Sequence, residues 1–381
     1  MTCLAPALDG TVVDTQNRLG PREADVLRMT DWFFPNGINH HELLAGVPAL
    51  ESMMQVFARN VAGLGHLPSA PAAVQPAERR ETDVLVIGAG PSAMASATAI
   101  AASGSNLAIT VIDDRSEPGG SLLALGDHER GAFKTMHDAF LHHARAARIT
   151  LSLSSVAVGI YGRDVLVITP TGPTLFSPKA LVLACGAHDG VRPFEGNDVP
   201  GVMSARAAGW FLAHGVAVGA NVLVVTTPSS GRFGISFERA FNTLASTSKP
   251  LAGSPAHAKA STRKARLVVG EPVRVRGSSC VRGVVWRDAH GVEHKSEADA
   301  LVIDAPRSAA YELAIQAGGT AELTPLGNYV VRATDHRIAH HVYAVGELTG
   351  TPLDVTAMTT QAAHVANQIA TQIKEPLAAP P

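Results

Sequence analysis

Apolar and polar positions follow two regimes along the chain. Residues 1–30 are irregular and polar, and a compact segment opens at Asp31-Trp32-Phe33-Phe34-Pro35. Within it Leu50, Met53, Met54, Phe57 and Val61 recur at helical spacing, with Pro48 ahead and Gly63 behind. That pattern predicts an amphipathic helix whose stripe packs on the main body or, alternatively, on a partner. Pro68, Pro71 and Pro76 then mark 68–81 as a linker. From residue 83 the pattern turns α/β. Short, almost wholly apolar runs at 83–87, 107–112 and 180–184 predict buried parallel strands. Helices are expected over 92–103 and 133–148, with a β meander from 151 to 176. A second strand–turn–helix unit follows at 221–225 and 235–244. Further β segments are expected at 267–269, 281–286 and 300–303, then a strand at 342–345 and a closing helix at 357–373.

Composition narrows the classes. With 381 residues, 46% hydrophobic and 17% charged, the chain carries two or three domains with substantial cores and is not intrinsically disordered. A net charge of −2 argues against a nucleic-acid surface; the basic stretch at 259–266 reads as a solvated loop. The longest apolar stretch, 211–225, is broken by His214 and Asn221, so no membrane span is expected. Cys3, Cys185 and Cys280 form no C-x-x-C pair, which removes a disulfide framework, a zinc site and a complete iron–sulfur site. The pairs His40-His41, His142-His143 and His340-His341 lack the i, i+4 spacing of helical metal ligands, so no metal is expected. The first residues show no basic region followed by an apolar core, and the expected location is cytoplasmic.

The strongest motif lies at 83–100, DVLVIGAGPSAMASATAI. Gly88 permits a tight turn out of the strand, and Gly90 lets backbone approach a pyrophosphate at the start of the next helix. Pro91 and Ser92 follow, and Ala93 stands at the third fingerprint position, where a small side chain still allows helix–strand packing. The second strand ends in Asp113-Asp114, at about the spacing of a ribose-binding acid, with a mere turn cap as the alternative for Asp113. Pro118-Gly119-Gly120, followed by Ser121 as a backbone-capping residue, resembles the place where flavoproteins bring bare backbone to the cofactor. Ala184-Cys185-Gly186 resembles the alanine–threonine–glycine turn of two-dinucleotide flavoproteins, and both resemblances favour FAD over nicotinamide at this site. Cys185 reads as an ordinary buried residue, and His188 as a loop histidine or a cofactor or substrate contact. No general base or nucleophile elbow emerges, so no catalytic residue is assigned.

At this point the chain resembles the α subunits of heteromeric amine and amino-acid oxidases and dehydrogenases, the sarcosine oxidase, opine oxidase and hydrogen cyanide synthase groups. These belong to the two-dinucleotide-binding flavoprotein superfamily. The resemblance rests on residues 31–68, the fingerprint at 88–93, CGAHDGVRPFEGNDVPGVMSA at 185–205 and AVGELTG at 344–350. It implies flavin contacts at Gly346 and Glu347, the latter where relatives carry aspartate, and a helix start at Thr356, Ala357 and Met358 aimed at the flavin. The second unit departs from the superfamily. Thr226, Thr227, Pro228, Ser229 and Ser230 precede a lone Gly231, so side chains stand where bare backbone should meet a pyrophosphate, and an NAD(P)H reductase is disfavoured. An anion at Ser229-Ser230-Gly231 is the remaining alternative there.

The expected fold is therefore an α/β FAD/NAD(P)-binding Rossmann-like domain with an inserted second, degenerate Rossmann-like domain. The expected boundaries are 1–67, a remnant of a ferredoxin-like domain plus a helical segment; 68–81, linker; 82–215 with 325–381, FAD-binding; and 216–324, the degenerate second unit. The resemblance implies one component of a multi-subunit flavin-dependent amine or amino-acid oxidase or dehydrogenase. Amine oxidation would take place on an FAD-containing β-type partner, and a further partner would be a small ferredoxin-like or iron–sulfur subunit. Two alternatives stay open: non-redox NAD in the first site, and a non-catalytic scaffold with eroded sites.

Overall fold

A computed structural model describes residues 75–374 apart from 105, 191, 228–231, 247–262 and 278. The expected N-terminal helix, the first half of the linker and Ser229-Ser230-Gly231 lie outside the described residues. The chain enters β1 (Glu78–Ile87), α1 (Pro91–Ala102) and β2 (Ile109–Ile112), then a 3-10 turn over Gly120–Ala124. α2 (Asp127–Gly131), α3 (Lys134–Arg145) and β3 (Ile149–Ser152) follow. Next come the meander strands β4 (Val156–Tyr161) and β5 (Asp164–Thr169), then β6 (Gly172–Leu183) and the short β7 (Ala187–His188). The second part comprises β8 (Val202–Ser204), α4 (Ala205–Ala213), β9 (Asn221–Thr226), α5 (Phe233–Ala245) and β10 (Lys264–Val269). It continues with β11 (Glu271–Arg276), β12 (Gly283–Arg287), β13 (Glu293–Ser296) and β14 (Ala300–Asp304). The chain closes through β15 (Ser308–Ala309), α6 (Glu312–Gln316), β16 (Thr320–Leu323), β17 (Tyr329–Arg332), β18 (Arg337–Ala339), β19 (Val342–Ala344) and α7 (Val355–Lys374).

Two parallel sheets organise these elements. The first runs β18-β19-β6-β1-β2-β3, parallel from β19 to β3, with β18 antiparallel at its edge and β5 and then β4 added antiparallel beside β6. The second runs β10-β9-β14-β8, all parallel. The unbroken apolar runs are explained by two-sided burial. In β1, Val84 and Val86 face the large core with α1 and α7, while Leu85 and Ile87 face a second core formed with β5, β6 and β19. β9 and β14 repeat the pattern: Val222, Val224 and Val302 join the same large core, and Leu223, Val225 and Leu301 pack towards the β11–β13 sheet. Both sheets thus share one core, closed by Phe133, Phe140, Phe233, Phe237 and Phe241. α1, built of small residues, is buried on most sides because it lies between the sheet and α7, with Ala93 and Ala97 wholly buried.

Three boundaries differ from the sequence reading. β1 begins at Glu78 inside the expected linker: its polar residues Glu78–Glu81 pair with Thr174–Ser177 of the long β6, an extension that hydropathy does not register. Lys264-Ala265-Arg266, expected in a solvated loop, opens β10, with Ala265 buried and its charged neighbours pointing outward. β8 and β14 pair as neighbours, so the second sheet recruits residues ahead of position 216.

Candidate functional site

The site grows from the glycine turn after β1. Gly88 has φ of +105°, and a Cβ there would stand 2.5 Å from the Ala184 carbonyl oxygen, so both conformation and space require glycine. Gly90 is the N-cap of α1, with Pro91 at the first helical position. A Cβ on Gly90 would find only the Gly120 Cα, 3.9 Å away. Gly120 is bare for the reciprocal reason: its Cβ would lie 2.8 Å from the Gly90 Cα. The Gly119 amide also donates to the Ala89 carbonyl at 2.9 Å. The two glycine segments singled out in sequence therefore meet backbone to backbone.

Asp113, just past the end of β2, ties this corner together. One carboxylate oxygen accepts from the Ala89 amide at 2.5 Å, the other from the Arg115 amide at 2.9 Å. Burial raises its pKa; the two amides oppose this, and neighbouring Asp114 adds repulsion in the same direction as burial. Each oxygen keeps a further lone pair, so the group is a loop clamp that can still accept from a diol.

A cavity of about 370 Å³ opens in front of the turn. Gly88, Gly90, Pro91, Ser92, Asp113, Asp114, Gly120, Ser121, Ala184, Cys185, Gly186, Glu347 and Met358 line it. Ala93, Gly119, Gly346, Thr356 and Ala357 do not. Ala93 is on a buried face of α1, and Gly346 backs onto Ser92, whose side chain a Cβ at 346 would strike. The Ala357 amide is taken by the Asp354 carboxylate at 2.9 Å, which caps α7. The cavity also gathers Ser155, Val156, Ala157, His188, Arg206 and Leu313. Of these only His188 carried a sequence signal; the others come from the meander and from α4 and α6, with no motif to mark them. His188 Nε2 lies 2.8 Å from Glu312 at the rim. Cys185 is half-buried against the cavity, and burial, with Glu312, Asp113 and Asp114 adding to it, pushes its thiol up to about 12, which favours the thiol over the thiolate at neutral pH.

The far end of the cavity is built differently. Glu347 is ion-paired with Arg307, which arrives from the segment after β14; their side chains are 15% and 11% exposed. The Arg307 guanidinium lies 4.4 Å from the centre of the Phe233 ring. Burial lowers its pKa to about 10, with Arg206 acting in the same direction and Asp189 and Asp304 opposing both. Its Nη1 is buried and has no hydrogen-bond partner among the described residues. Arg206 is held by Asp189 at 2.7 Å, and Asp189 accepts from the Ser204 hydroxyl at 2.6 Å. Behind Glu347, the Gly346 amide donates to Gln361 Oε1 at 2.8 Å. That fixes the amide orientation, so Gln361 Nε2 donates to His336 Nδ1 at 3.1 Å and His336 is neutral with its proton on Nε2. Burial, with His364 adding to it, lowers the His336 pKa in the same sense.

A dinucleotide matches one half of this space better than the other. The adenosine–pyrophosphate half fits: bare backbone at Gly90, the start of α1 and the Asp113 carboxylate face one space. At the other end Glu347 is already paired, while the unpartnered Arg307 Nη1 is a donor in need of an acceptor.

The fold, two parallel-sheet units around a strand–glycine turn–helix corner, is shared with solved dehydrogenase and reductase structures. L-proline dehydrogenase from P. horikoshii superposes with a TM-score of 0.61 at 22% identity, over 79% of this chain and 57% of that one. Lactococcus lactis thioredoxin reductase gives 0.54 at 17% identity, over 77% of this chain and 99% of that one.

More particularly, the chain is similar in sequence to the alpha subunit of sarcosine oxidase from Corynebacterium sp. (strain P-1), 32% identical over 233 residues, or 55% of this chain. It is also similar to an opine oxidase subunit of Agrobacterium tumefaciens (strain Ach5), 34% identical over 145 residues, or 33% of this chain. The matched part spans about a quarter of these relatives, 24% and 28% of their respective lengths. No protein-family model matches the chain. No helix among the described residues is long and apolar enough to cross a membrane.

Proposed function

We propose that the chain is a nucleotide-binding α-type subunit of a multi-subunit, flavin-dependent amine or amino-acid oxidoreductase, holding FAD in the cavity in front of β1 and working in the cytoplasm. The carrying observation is the convergence of Gly90, the start of α1 and Asp113 on one cavity in a chain similar to the alpha subunit of sarcosine oxidase. The Gly88–Ser92 turn would hold the pyrophosphate, with Ala93 supporting its packing, and Asp113 and Asp114 would hold the adenosine ribose. The Gly120-Ser121 and Ala184–Gly186 backbones, with Glu347 and Met358, would hold the flavin end, and Gly119, Gly346, Thr356 and Ala357 would support these segments from behind. A flavin bound here would supply two-electron redox chemistry to the complex. The residues of this chain orient the nucleotide and exclude water around it; amine oxidation belongs to a partner of β type with its own FAD, and a small ferredoxin-like or iron–sulfur subunit is a further partner.

One observation favours a second reading, NAD held without a redox role. The half of the cavity common to FAD and NAD is the complete half, whereas Glu347 is already paired with Arg307. The visible spectrum of the purified chain, with mass spectrometry of what acid releases, separates the readings. FAD near one per chain supports the first, and released NAD the second. A colourless chain that releases nothing, alone and with its partner, overturns both in favour of a scaffold.

A further inference from the structure

The second strand–turn–helix unit has its own place for an anion. In a doubly wound sheet the ligand crevice opens at the carboxyl ends of two neighbouring strands whose connections run in opposite directions. Here those strands are β9, which leads through α5 to β10 on one side, and β14 on the other. Thr226 and Asp304 are register partners at the ends of the two strands. α5 starts at Phe233, beside this crevice, and the start of such a helix is where a dinucleotide would put its pyrophosphate.

A side chain of the protein is already there. Asp304 accepts the Gly234 N–H, in the first turn of α5, at 2.8 Å, and is only 4% exposed. The Arg307 guanidinium lies over Phe233, the first residue of the same helix, and is paired with Glu347. Arg232, the N-cap residue of α5, approaches Asp354 to 3.9 Å. Thus the terminus has a carboxylate inside it and is flanked by ion pairs to the segment that bears Glu347 and Asp354.

We propose that Asp304 is an internal anion in the phosphate position of the second unit, and that it closes this unit to NAD(P)H. A pyrophosphate entering the crevice would meet a buried negative charge and would have to displace the Gly234 hydrogen bond. The helix N–H that would meet phosphate in an open unit here meets an aspartate, which only in part offsets the cost of its burial. This holds whichever nucleotide fills the first cavity. Combined with the proposed function, it means that reducing equivalents reach the first site from a substrate or a partner chain, not from a nicotinamide on the second sheet.

The test is made on the full chain. NADPH and NADH are titrated by equilibrium dialysis into the wild type and into Gly90→Val, which obstructs only the first cavity. The expected result is at most one dinucleotide per chain in the wild type and none in Gly90→Val. Two per chain, or undiminished binding by Gly90→Val, overturns the proposal and leaves the reading of the first cavity untouched. A second measurement needs no ligand. Burial pushes Asp304 up to about 6, against the Gly234 N–H and Arg307, which lower it, and with Asp189, which raises it. The folded value lies above the unfolded one, so the charged form costs stability above pH 6, and that cost fades as pH falls towards 4. The wild-type melting temperature should therefore rise, relative to Asp304→Asn, as pH is lowered from 8 to 5. A difference that stays flat across that range means that the carboxylate is not buried at the helix terminus, and overturns the proposal.

Discussion

The two strand–turn–helix units share a topology and differ in what stands at the helix terminus. After β1 the chain passes through Gly88 and Gly90, and the start of α1 faces a cavity of about 370 Å³. At the second unit, the start of α5 faces the buried carboxylate of Asp304. Parallel strands and a crossover helix build the same dipole and the same unpaired N–H groups in both places. Which unit can take a nucleotide depends on whether bare backbone or a buried carboxylate completes the terminus.

The largest expected effect probes the seam between the units. Arg307→Met leaves Glu347 buried without its counter-charge and should cost about 3–5 kcal/mol, read by urea denaturation. Adding Glu347→Gln should recover much of that loss, and a double-mutant cycle with no coupling would refute the buried pair. Next come the two glycines of the first unit, which should behave oppositely. Gly88→Ala, barred by φ and by the Ala184 carbonyl, should destabilise the fold by roughly 2–4 kcal/mol. Gly90→Val should leave the melting temperature of the ligand-free chain within a few degrees of wild type yet release its nucleotide, with affinity lower by about 100-fold, some 2.7 kcal/mol. Equal destabilisation by both substitutions would mean that Gly90 serves packing rather than ligand approach. Asp113→Asn swaps one acceptor oxygen for a donor against the Ala89 or Arg115 amide, and should cost about 1–3 kcal/mol. Its stability loss should disappear in a chain already opened by Gly88→Ala if the clamp acts only through that turn. The smallest effect belongs to Asp354→Ala, which removes the cap on the Ala357 amide for about 1 kcal/mol and should slightly increase amide exchange in the first turn of α7.

Much of the first unit was legible from residues 83–121, because its devices are local. An apolar run bounded by glycines specifies a buried strand and a turn, and Pro91 after Gly90 specifies a helix start. Asp113 was legible as an acid at the right spacing, although its bonds to Ala89 and Arg115 were not. Ser155, Val156 and Ala157 were invisible because a meander strand of ordinary composition carries no mark of facing a cavity. The degenerate second fingerprint showed in Thr226, Thr227 and Pro228, but Asp304, about 75 positions further on, looked like any strand-end aspartate.

The sequence by itself determined the buried parallel strands, their succession along the chain and the place of the glycine turn. Those follow from apolar runs and from backbone conformations that few residues adopt. The tertiary structure alone decided the charges. Arg307 meets Glu347, and Asp304 meets the start of α5, only because β14 lies beside β9 and both sheets share one core. An ion pair or a buried carboxylate is a relation between segments distant in the chain, and its energy depends on desolvation that no local pattern records.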